Sequence, residues 1–583
     1  MIRLNQLIPL SPRAFLHSIN IIPRSRRGNL ILIAISLILL FFTSVLILNE
    51  SLVDPVLSSL SNYRSSTSTS ASLIKYLRYL QSLQDEIPTD INFLPGKQTC
   101  VECPFTESDL SQHINYEEES TKLENLKEVH SKVWEYIQNL NPKDIVSASS
   151  RSRGIVILGG GKYSIMSLLS IESLRHQGSE LPIELMIPTR AEYDPYLCET
   201  LLLSRLKGRC LVLEDLIGSE LWKQLDIKSY QLKSLSLMIS SFNELIYLDS
   251  DNIPTRNIDL WLDAEPYTSK GFVTWPDFWS RGTSRWFYDV AGITVDRGVR
   301  VREGRWELPE PVSVSEEVSS KTPFHELKGT ISDPSTESGC MLINKTTHLK
   351  TLLLSLFYNT YGPAVFYELI SQGQWGQGDK ETFSLASLKA GEPIWQVRSK
   401  IQRIGIDIAK GSEFDGDERI FGDWFEITKG HSIKTTAMGQ VDPTDDYAEY
   451  QRVLKHNEGN LKEHFNDKKR NLGLIHANHP KLDPVTLAAK FEGVLSSGKQ
   501  YRIFDCLSEK LATQSNQPEY DFELTQFRNL WKYTGCEVDL DVTSSSSSSS
   551  SGSLKYFEEF ESQMPEICQY LKQHIAFLQA DHH

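Results

Sequence analysis

The sequence has no surplus of positive charge: 60 Lys and Arg stand against 75 Asp and Glu, a formal net charge of −15 over 583 residues. That balance excludes a nucleic-acid-binding surface spread over the whole protein and leaves room only for a local basic groove. A second C-x-x-C at zinc-finger spacing is also missing. The single pair, Cys100 and Cys103, precedes any strand–helix alternation and reads as a structural bridge rather than a zinc or redox centre. Two phosphate-binding signatures are absent as well. LGGGKYS (residues 158–164) fails the Walker pattern because Val156 stands where its first glycine is required, and it contains no G-x-G-x-x-G. What is present is a hydrophobic content of 40% and an aromatic content of 10%. Those values suit a globular chain with one large or two medium domains and appendages.

A long apolar run lies near the start. LILIAISLILLFFTSVLIL (residues 30–48) carries no charge and has the length of a membrane-crossing helix, about 20 residues. Arg24, Arg26 and Arg27 precede it, with Arg3 and Arg13 further upstream, and Glu50 and Asp54 follow. The positive-inside rule puts the short N-terminus in the cytoplasm and the rest of the chain across the membrane. The run is longer than a signal-peptide core and no small-residue cleavage site follows, so an uncleaved anchor is expected over a removed signal. The expected layout is a cytoplasmic tail at 1–29, an anchor at 30–48, a lumenal stem at 49–150 and a catalytic domain at 151–583. In an oxidising lumen the eight cysteines (100, 103, 198, 210, 340, 506, 536 and 568) favour disulfides over zinc. Two sequons, at Asn49 and Asn344, become usable there, Asn49 lying too close to the membrane.

Within the stem, SLSNYRSSTSTSAS (59–72) is too polar to pack. A helical stripe follows, with Leu123, Leu126, Val129, Val133 and Ile137 at three- and four-residue steps. Periodicity alone allows it either to lean on the catalytic domain or to space it from the membrane. From residue 151 strands and helices alternate. GIVILGGG (154–161), PIELMIP (182–188), CLVLEDL (210–216) and LIYLDSD (245–251) read as strands, with helices at 163–176 and 230–242. That rhythm predicts an α/β domain on a mostly parallel sheet. TSSSSSSSSGS (543–553) is too polar for a core and reads as a surface loop before a last helical segment at 554–579.

LIYLDSDNIPTRN ends a buried strand in Asp249 and Asp251, at the carboxyl edge where open α/β sheets place ligands. Two acids at one strand end are unfavourable unless solvated or bridged by a cation, so the position favours a hard divalent ion, Mg²⁺ or Mn²⁺, over a turn. The glycine turn, with Gly159, Gly160 and Lys162, is either a nucleotide contact or simply a tight turn. Three further stretches add to this: LGLIHANHPKLDP (472–484) with His476 and Lys481, GFVTWPDFW (271–279) with Trp275, Asp277 and Trp279, and WGQGDKETF (375–383) with Trp375, Asp379 and Glu381. Together they suggest a nucleoside-diphosphate-sugar site. A metal would bridge Asp249, Asp251 and His476 to a diphosphate, Lys481 would add positive charge, and the tryptophans would offer flat faces to a sugar.

SSFNELIYLDSDNIPTRN (240–257), GFVTWPDFW, ESGCMLINK (337–345) and GQGDKETF (376–383), in this order and at these distances, resemble the fungal Golgi mannosyltransferases of glycosyltransferase family 71. The branch most similar is the α-1,2-mannosyltransferases that extend side chains on mannan. The resemblance covers roughly residues 151–484; Cys340 within ESGCMLINK is a small departure from it. It implies a GT-A-type fold, GDP-mannose as donor, Mn²⁺ as cofactor and retention of anomeric configuration. It also implies Golgi residence, a mannan or N-glycan acceptor and a place in a mannosyltransferase complex. Asp249 and Asp251 match the family's acid–x–acid motif and His476 its late metal-site histidine, while Lys233 falls where donor contacts are expected. Asp379 and Glu381 match the acidic turn. Asp379 is the first candidate for a transient nucleophile or ion-pair stabiliser, with proton transfer to the departing phosphate as the other route. Trp275, Asp277 and Trp279 on one side and Trp375 on the other would flank the acceptor. A UDP-sugar transferase on the same fold and a non-catalytic glycan-binding protein remain the other readings.

Overall fold

The computed structural model of the protein describes residues 69–96, 103–146, 152–374, 376–409, 425–428, 431–456, 461, 465, 470–504, 520–536 and 553–581. The predicted anchor at 30–48, Asn49, Cys100, Trp375, Cys506 and nearly all of the serine tract lie outside them. Among the described residues no helix is long and apolar enough to cross a membrane.

The first helix, α1 (Ala71–Ser82), starts where Ser70 Oγ accepts a hydrogen bond from Leu73 N at 3.1 Å. Leu73, Tyr76, Leu77 and Leu80 form its buried stripe. In α2 (Tyr116–Asn139) three glutamates occupy the first turn, where the helix dipole favours them, and the predicted stripe from Leu123 to Ile137 is buried. Both helices share a core with the α/β domain. Tyr76 Oη donates to Leu353 O at 2.9 Å, and His130 Nε2 lies 2.8 Å from the Tyr358 hydroxyl. Of the two arrangements that periodicity allowed, the helix that leans on the domain is the one formed.

From Arg153 the chain runs β1 (Arg153–Leu158), α3 (Ser164–His176), β2 (Ile183–Ile187), β3 (Gly208–Val212), α4 (Gln231–Ile239) and β4 (Glu244–Asp249). Next come β5 (Asn252–Pro254), β6 (Phe272–Pro276), β7 (Asp296–Glu303), β8 (Trp306–Ser313), β9 (Leu327–Lys328) and β10 (Thr336–Asn344). α5 (Leu349–Thr360), α6 (Lys380–Ala390) and β11 (Trp395–Gln396) follow. Seven strands form a central sheet in the order β11-β6-β10-β4-β1-β2-β3. β3, β2, β1 and β4 run parallel, β10 is antiparallel to both β4 and β6, and β11 is parallel to β6. The sheet is mixed and mostly parallel. Burial of both faces is why these strands read as unbroken apolar runs rather than as alternations.

A second sheet uses β12 (Gln402–Ala409), β13 (Phe425–Thr428), β14 (His431–Val441) and β15 (Leu472–His476), in the order β12-β14-β15-β5 with β13 pairing β14. β5 follows β4 after only Ser250 and Asp251, so the two acids occupy the crossing point between the sheets. β7, β8 and β9 form a small third sheet. At the C-terminal end α7 (Phe522–Tyr533) and α8 (Met564–Asp581) join the same core as β1. A Cys536–Cys568 disulfide and a 2.8 Å contact between His574 Nε2 and Glu523 Oε1 hold this end in place. Cys198 and Cys210 form a second bridge, Cys103 is disulfide-bonded, and Cys340 is a buried thiol.

Because α1 fills the core rather than spacing it, Leu77→Ala lowers stability by about 2–5 kcal/mol. A fragment of residues 83–583 fails to give the cooperative thermal melt that residues 69–583 give. Equal melts followed by circular dichroism would return α1 to the role of a spacer.

Candidate active site

The register between β1 and β4 sets Leu158 beside Asp249. The glycine turn and the two acids therefore leave the sheet at the same carboxyl edge. Gly160 and Gly161 have φ of +96° and +52°, a bend that an L side chain rarely tolerates, and it turns the chain into α3. Gly159 is packed so closely that a β-carbon would lie 2.6 Å from Ser167 Oγ and 2.7 Å from Leu185 Cδ1. Lys162 and Tyr163 stand exposed on the turn, the lysine ammonium 5.2 Å from the tyrosine ring centre.

Pairing of β5 with β15 sets His476 opposite Asn252, and Ala477 N donates to Asp251 O at 2.9 Å. This backbone ladder brings a histidine from far along the chain to the acids. His476 Nε2 lies 3.4 Å from Asp251 Oδ1, and its Nδ1 lies 3.6 Å from Glu337 Oε1 on β10. Lys481, just past β15, forms an ion pair with Asp251. Burial alone would depress the imidazole, but Asp251 and then Glu337 push its pKa up to about 9. Burial would likewise raise Asp251, yet His476 and Lys481 hold its carboxyl far below the usual range. Glu337 goes the other way: burial raises it, and His476 offsets this only in part.

Beside this group sits a second one. Lys233, on α4, is buried, and its ammonium donates to Asp249 Oδ2 at 3.1 Å, Ser338 O at 3.1 Å and Ser338 Oγ at 3.0 Å. The same ammonium lies 3.0 Å from Asp379 Oδ2. Tyr247 Oη donates to the other oxygen of Asp249 at 2.7 Å, and Ser338 Oγ donates to Asp379 Oδ2 at 3.1 Å. Burial opposes the lysine's charge, but Asp249 and Asp379 outweigh it and keep the ammonium protonated. Burial pushes the Asp379 carboxyl up, with Lys233 pulling against it.

Three consecutive residues of the GQGDKETF turn diverge. Asp379 joins Lys233, Lys380 pairs with Asp277, and Glu381 pairs with the buried Arg281 while accepting from Thr336 N at 2.7 Å. Glu381, expected in catalysis, is thus engaged in fixing the start of β10, and Asp277 is held by Lys380. Trp275, expected to touch an acceptor, is 1% exposed, packs on Trp261 and donates Nε1–H to Val441 O at 2.7 Å. Its indole is core, because position 275 points inward on a strand buried on both faces. Trp279 is half-buried. Asn344 ends β10 with Oδ1 accepting from Thr346 N and Thr347 N, and the next residue, Lys345, is buried against the carbonyls of Leu237, Met238 and Ser240.

Among the described residues no three His, Cys, Asp or Glu side chains already surround one point as metal ligands do. Of the expected triad, Asp251 and His476 meet while Asp249 turns to Lys233. The donor chemistry nevertheless fits a hard divalent cation. An imidazole and a carboxylate stand 3.4 Å apart, with a second carboxylate, Glu337, behind the imidazole. The buried amide of Asn252 and Nδ1 of His476 have no hydrogen-bond partner. Glu337, Ser338, Tyr247 and Asn252 are the site residues that sequence reasoning missed. ESGCMLINK served only as one of the stretches carrying the resemblance, and its opening Glu-Ser, the start of β10, was the available signal.

A family model described as "Mannosyltransferase putative" matches residues 152–442. Alpha-1,2-mannosyltransferase MNN2 of Saccharomyces cerevisiae is 33% identical over 467 residues, covering 77% of this chain and 73% of that protein. Alpha-1,2-mannosyltransferase MNN5 from the same species is 32% identical over 562 residues, covering 87% and 89%. MNN23 of Candida albicans, an alpha-1,2-mannosyltransferase by name, is 32% identical over 498 residues, covering 79% and 76%. Among solved structures, a galactosyltransferase LgtC with donor and acceptor sugar analogues is 12% identical with a TM-score of 0.25, covering 42% of this chain and 73% of that one. At that score the likeness carries no argument.

Removing the ammonium leaves two carboxyls facing each other in a buried space. Lys233→Met therefore lowers stability by about 3–5 kcal/mol. The Lys233→Met/Asp379→Asn double variant regains part of that loss in urea unfolding, whereas independent sites would lose stability additively.

Proposed function

From the premise that the chain belongs to this mannosyltransferase family, we propose that it is an α-1,2-mannosyltransferase. It transfers mannose from GDP-mannose to a mannan or N-glycan outer-chain acceptor. The observation that carries this reading is the meeting of Asp251, His476 and Lys481 with the Lys233–Asp249–Asp379 group at one sheet edge. Such an edge, with cationic and anionic groups side by side beneath a glycine turn, suits a sugar diphosphate. The sheet order is compatible with a GT-A-type fold. We further propose a type II Golgi protein with a lumenal catalytic domain. The arginine-flanked apolar run supports the orientation, and the disulfides that include Cys103, Cys198–Cys210 and Cys536–Cys568 support an oxidising compartment.

The bond to be broken joins mannose C1 to the β-phosphate oxygen, and negative charge grows on the diphosphate as it leaves. Lys481, only loosely covered, is the cation best placed to meet that charge. Asp251 and His476, with Asp249 beside them, would hold a divalent cation such as Mn²⁺, which supplies electrostatic stabilisation of the leaving group. On the far side Asp379 is a carboxyl fixed by Lys233 and Ser338. A group restrained in this way acts better as a stationary charge facing a cationic mannosyl centre than as a free nucleophile. The acceptor hydroxyl then enters from the side of the departing phosphate and gives its proton to that phosphate as its oxygen bonds to C1, which retains configuration. Asp277, locked by Lys380, and Trp279 border that approach.

Incubating residues 69–583 with Mn²⁺, an α-1,6-linked mannan and labelled GDP-mannose or UDP-sugars is expected to yield α-1,2-linked mannose from GDP-mannose only. Asp251→Asn lowers that rate by about a hundredfold or more. An undiminished rate removes the metal assignment, and transfer from a UDP-sugar removes the donor.

Metal binding must displace the proton that His476 carries below pH 9. Mn²⁺ affinity measured by calorimetry therefore rises about tenfold per pH unit from pH 7 toward 9, with about one proton released per ion. A flat profile would separate His476 from the metal.

A further inference from the structure

Tyr230 keeps its ring 57% exposed, although it begins a helix whose following residues are almost all buried. Its backbone is already helical, with φ −57° and ψ −28°, so Tyr230 and Lys233 lie one turn apart on the same face of α4. Lys233 reaches Asp249 and Asp379, and the exposed ring of Tyr230 belongs to the preceding turn of the same helix face. Gly378 gives the ring's direction: a β-carbon there would lie 3.2–3.5 Å from three atoms of the Tyr230 ring. The ring thus rests against the main chain of Gly378, the residue before Asp379. A side chain at position 378 would press on the ring, which would have to give by a few tenths of an ångström.

The ring is also held in place. Ser229, just before it, adopts φ +53°, a conformation costly for a residue with a side chain. Gln231, just after it, donates Nε2–H to the carbonyls of Asn359 and Thr360, each at 3.0 Å, and its Oε1 accepts from Lys228 N at 3.1 Å. A strained turn and a buried amide clamp together maintain an apolar ring in water at the mouth of the site.

We propose that Tyr230 is the stacking face that seats a mannopyranose ring above Asp379; this rests on the mannosyltransferase reading. A pyranose presents a face of C–H bonds suited to an aromatic ring, with hydroxyls around its edge for polar groups below. A ring with few rotatable bonds, already fixed in place, gives that contact at little entropic cost. The mannose is either the donor's or the acceptor's.

The test uses the detergent-solubilised full chain and its Tyr230→Ala and Tyr230→Phe variants, all with the same melting temperature as expected for an exposed position. Tyr230→Ala raises KM for one mannosyl substrate roughly five- to tenfold with a smaller change in kcat, and Tyr230→Phe stays close to wild type. A rise in KM for GDP-mannose with unchanged inhibition by GDP assigns the donor's mannose; a rise for mannan assigns the acceptor's. A parallel loss of GDP affinity would mean that the ring stacks on the base and overturns the proposal, as would unchanged KM values. Calorimetric binding of α-1,6-mannobiose provides a readout independent of turnover. If the wild type transfers no mannose, the functional reading fails, while equal calorimetric binding both of mannobiose and of GDP-mannose by wild type and Tyr230→Ala overturns the role of Tyr230.

Discussion

One buried ammonium organises the carboxyl edge of this sheet. Lys233 comes from α4, Asp249 from β4, Ser338 from β10 and Asp379 from the start of α6, and all four meet within hydrogen-bond distance. A lone charge in such a place would be prohibitively unfavourable; two carboxylates and a carbonyl make it tolerable. The arrangement also fixes geometry, because each partner belongs to a different element. α4 must begin at this edge, β10 must lie against β4, and α6 must aim its first residue back toward the sheet.

The second constraint is the short passage from β4 to β5. Two residues take the chain out of one sheet and into another, so Asp249 faces Lys233 while Asp251 faces His476 and Lys481. Strand alternation would leave residues two apart on one face; the turn at Ser250 and Asp251 between the two strands is what sends the acids to different partners. One is neutralised by a permanent structural cation and the other by groups nearer to solvent. That division suits a site where one carboxylate stays fixed and the other exchanges partners when an ion or a diphosphate arrives.

Much of this was legible in the residues because it follows chain order. Continuous apolar runs marked β1, β2 and β4, and an abrupt end in acids marked the ligand edge. His476 and Lys481 stood out as polar residues directly after a strand. The tryptophans were less legible. In GFVTWPDFW a strand's inward and outward positions look alike when both faces are covered, so Trp275 could not be told from a cleft residue until its indole was seen against Val441. In GQGDKETF the acid whose partner is Arg281 cannot be told by type from the acid whose partner is Lys233, because the difference lies in helix rotation. Glu337 was hidden for a related reason, since its importance comes from a neighbour far away in sequence. α1 and α2 showed their apolar stripes plainly, but a stripe does not say what covers it.

The antiparallel placement of β10 and the late arrival of β15 have a consequence for synthesis. Domains gain structure from the N-terminal side as the chain emerges. The parallel core of β1 to β4 can assemble early, yet Asp249 then has an open strand edge on one side and Asp251 has no histidine. Asp379 joins only after α5 has been made, and His476 only after β14. The glycine turn, the acids and the lysine of α4 are present for most of translation without forming a competent centre. The group around Asp251 is completed in one late step, when β15 closes against β5, so a prematurely terminated chain carries the two acids without His476 and Lys481 beside them.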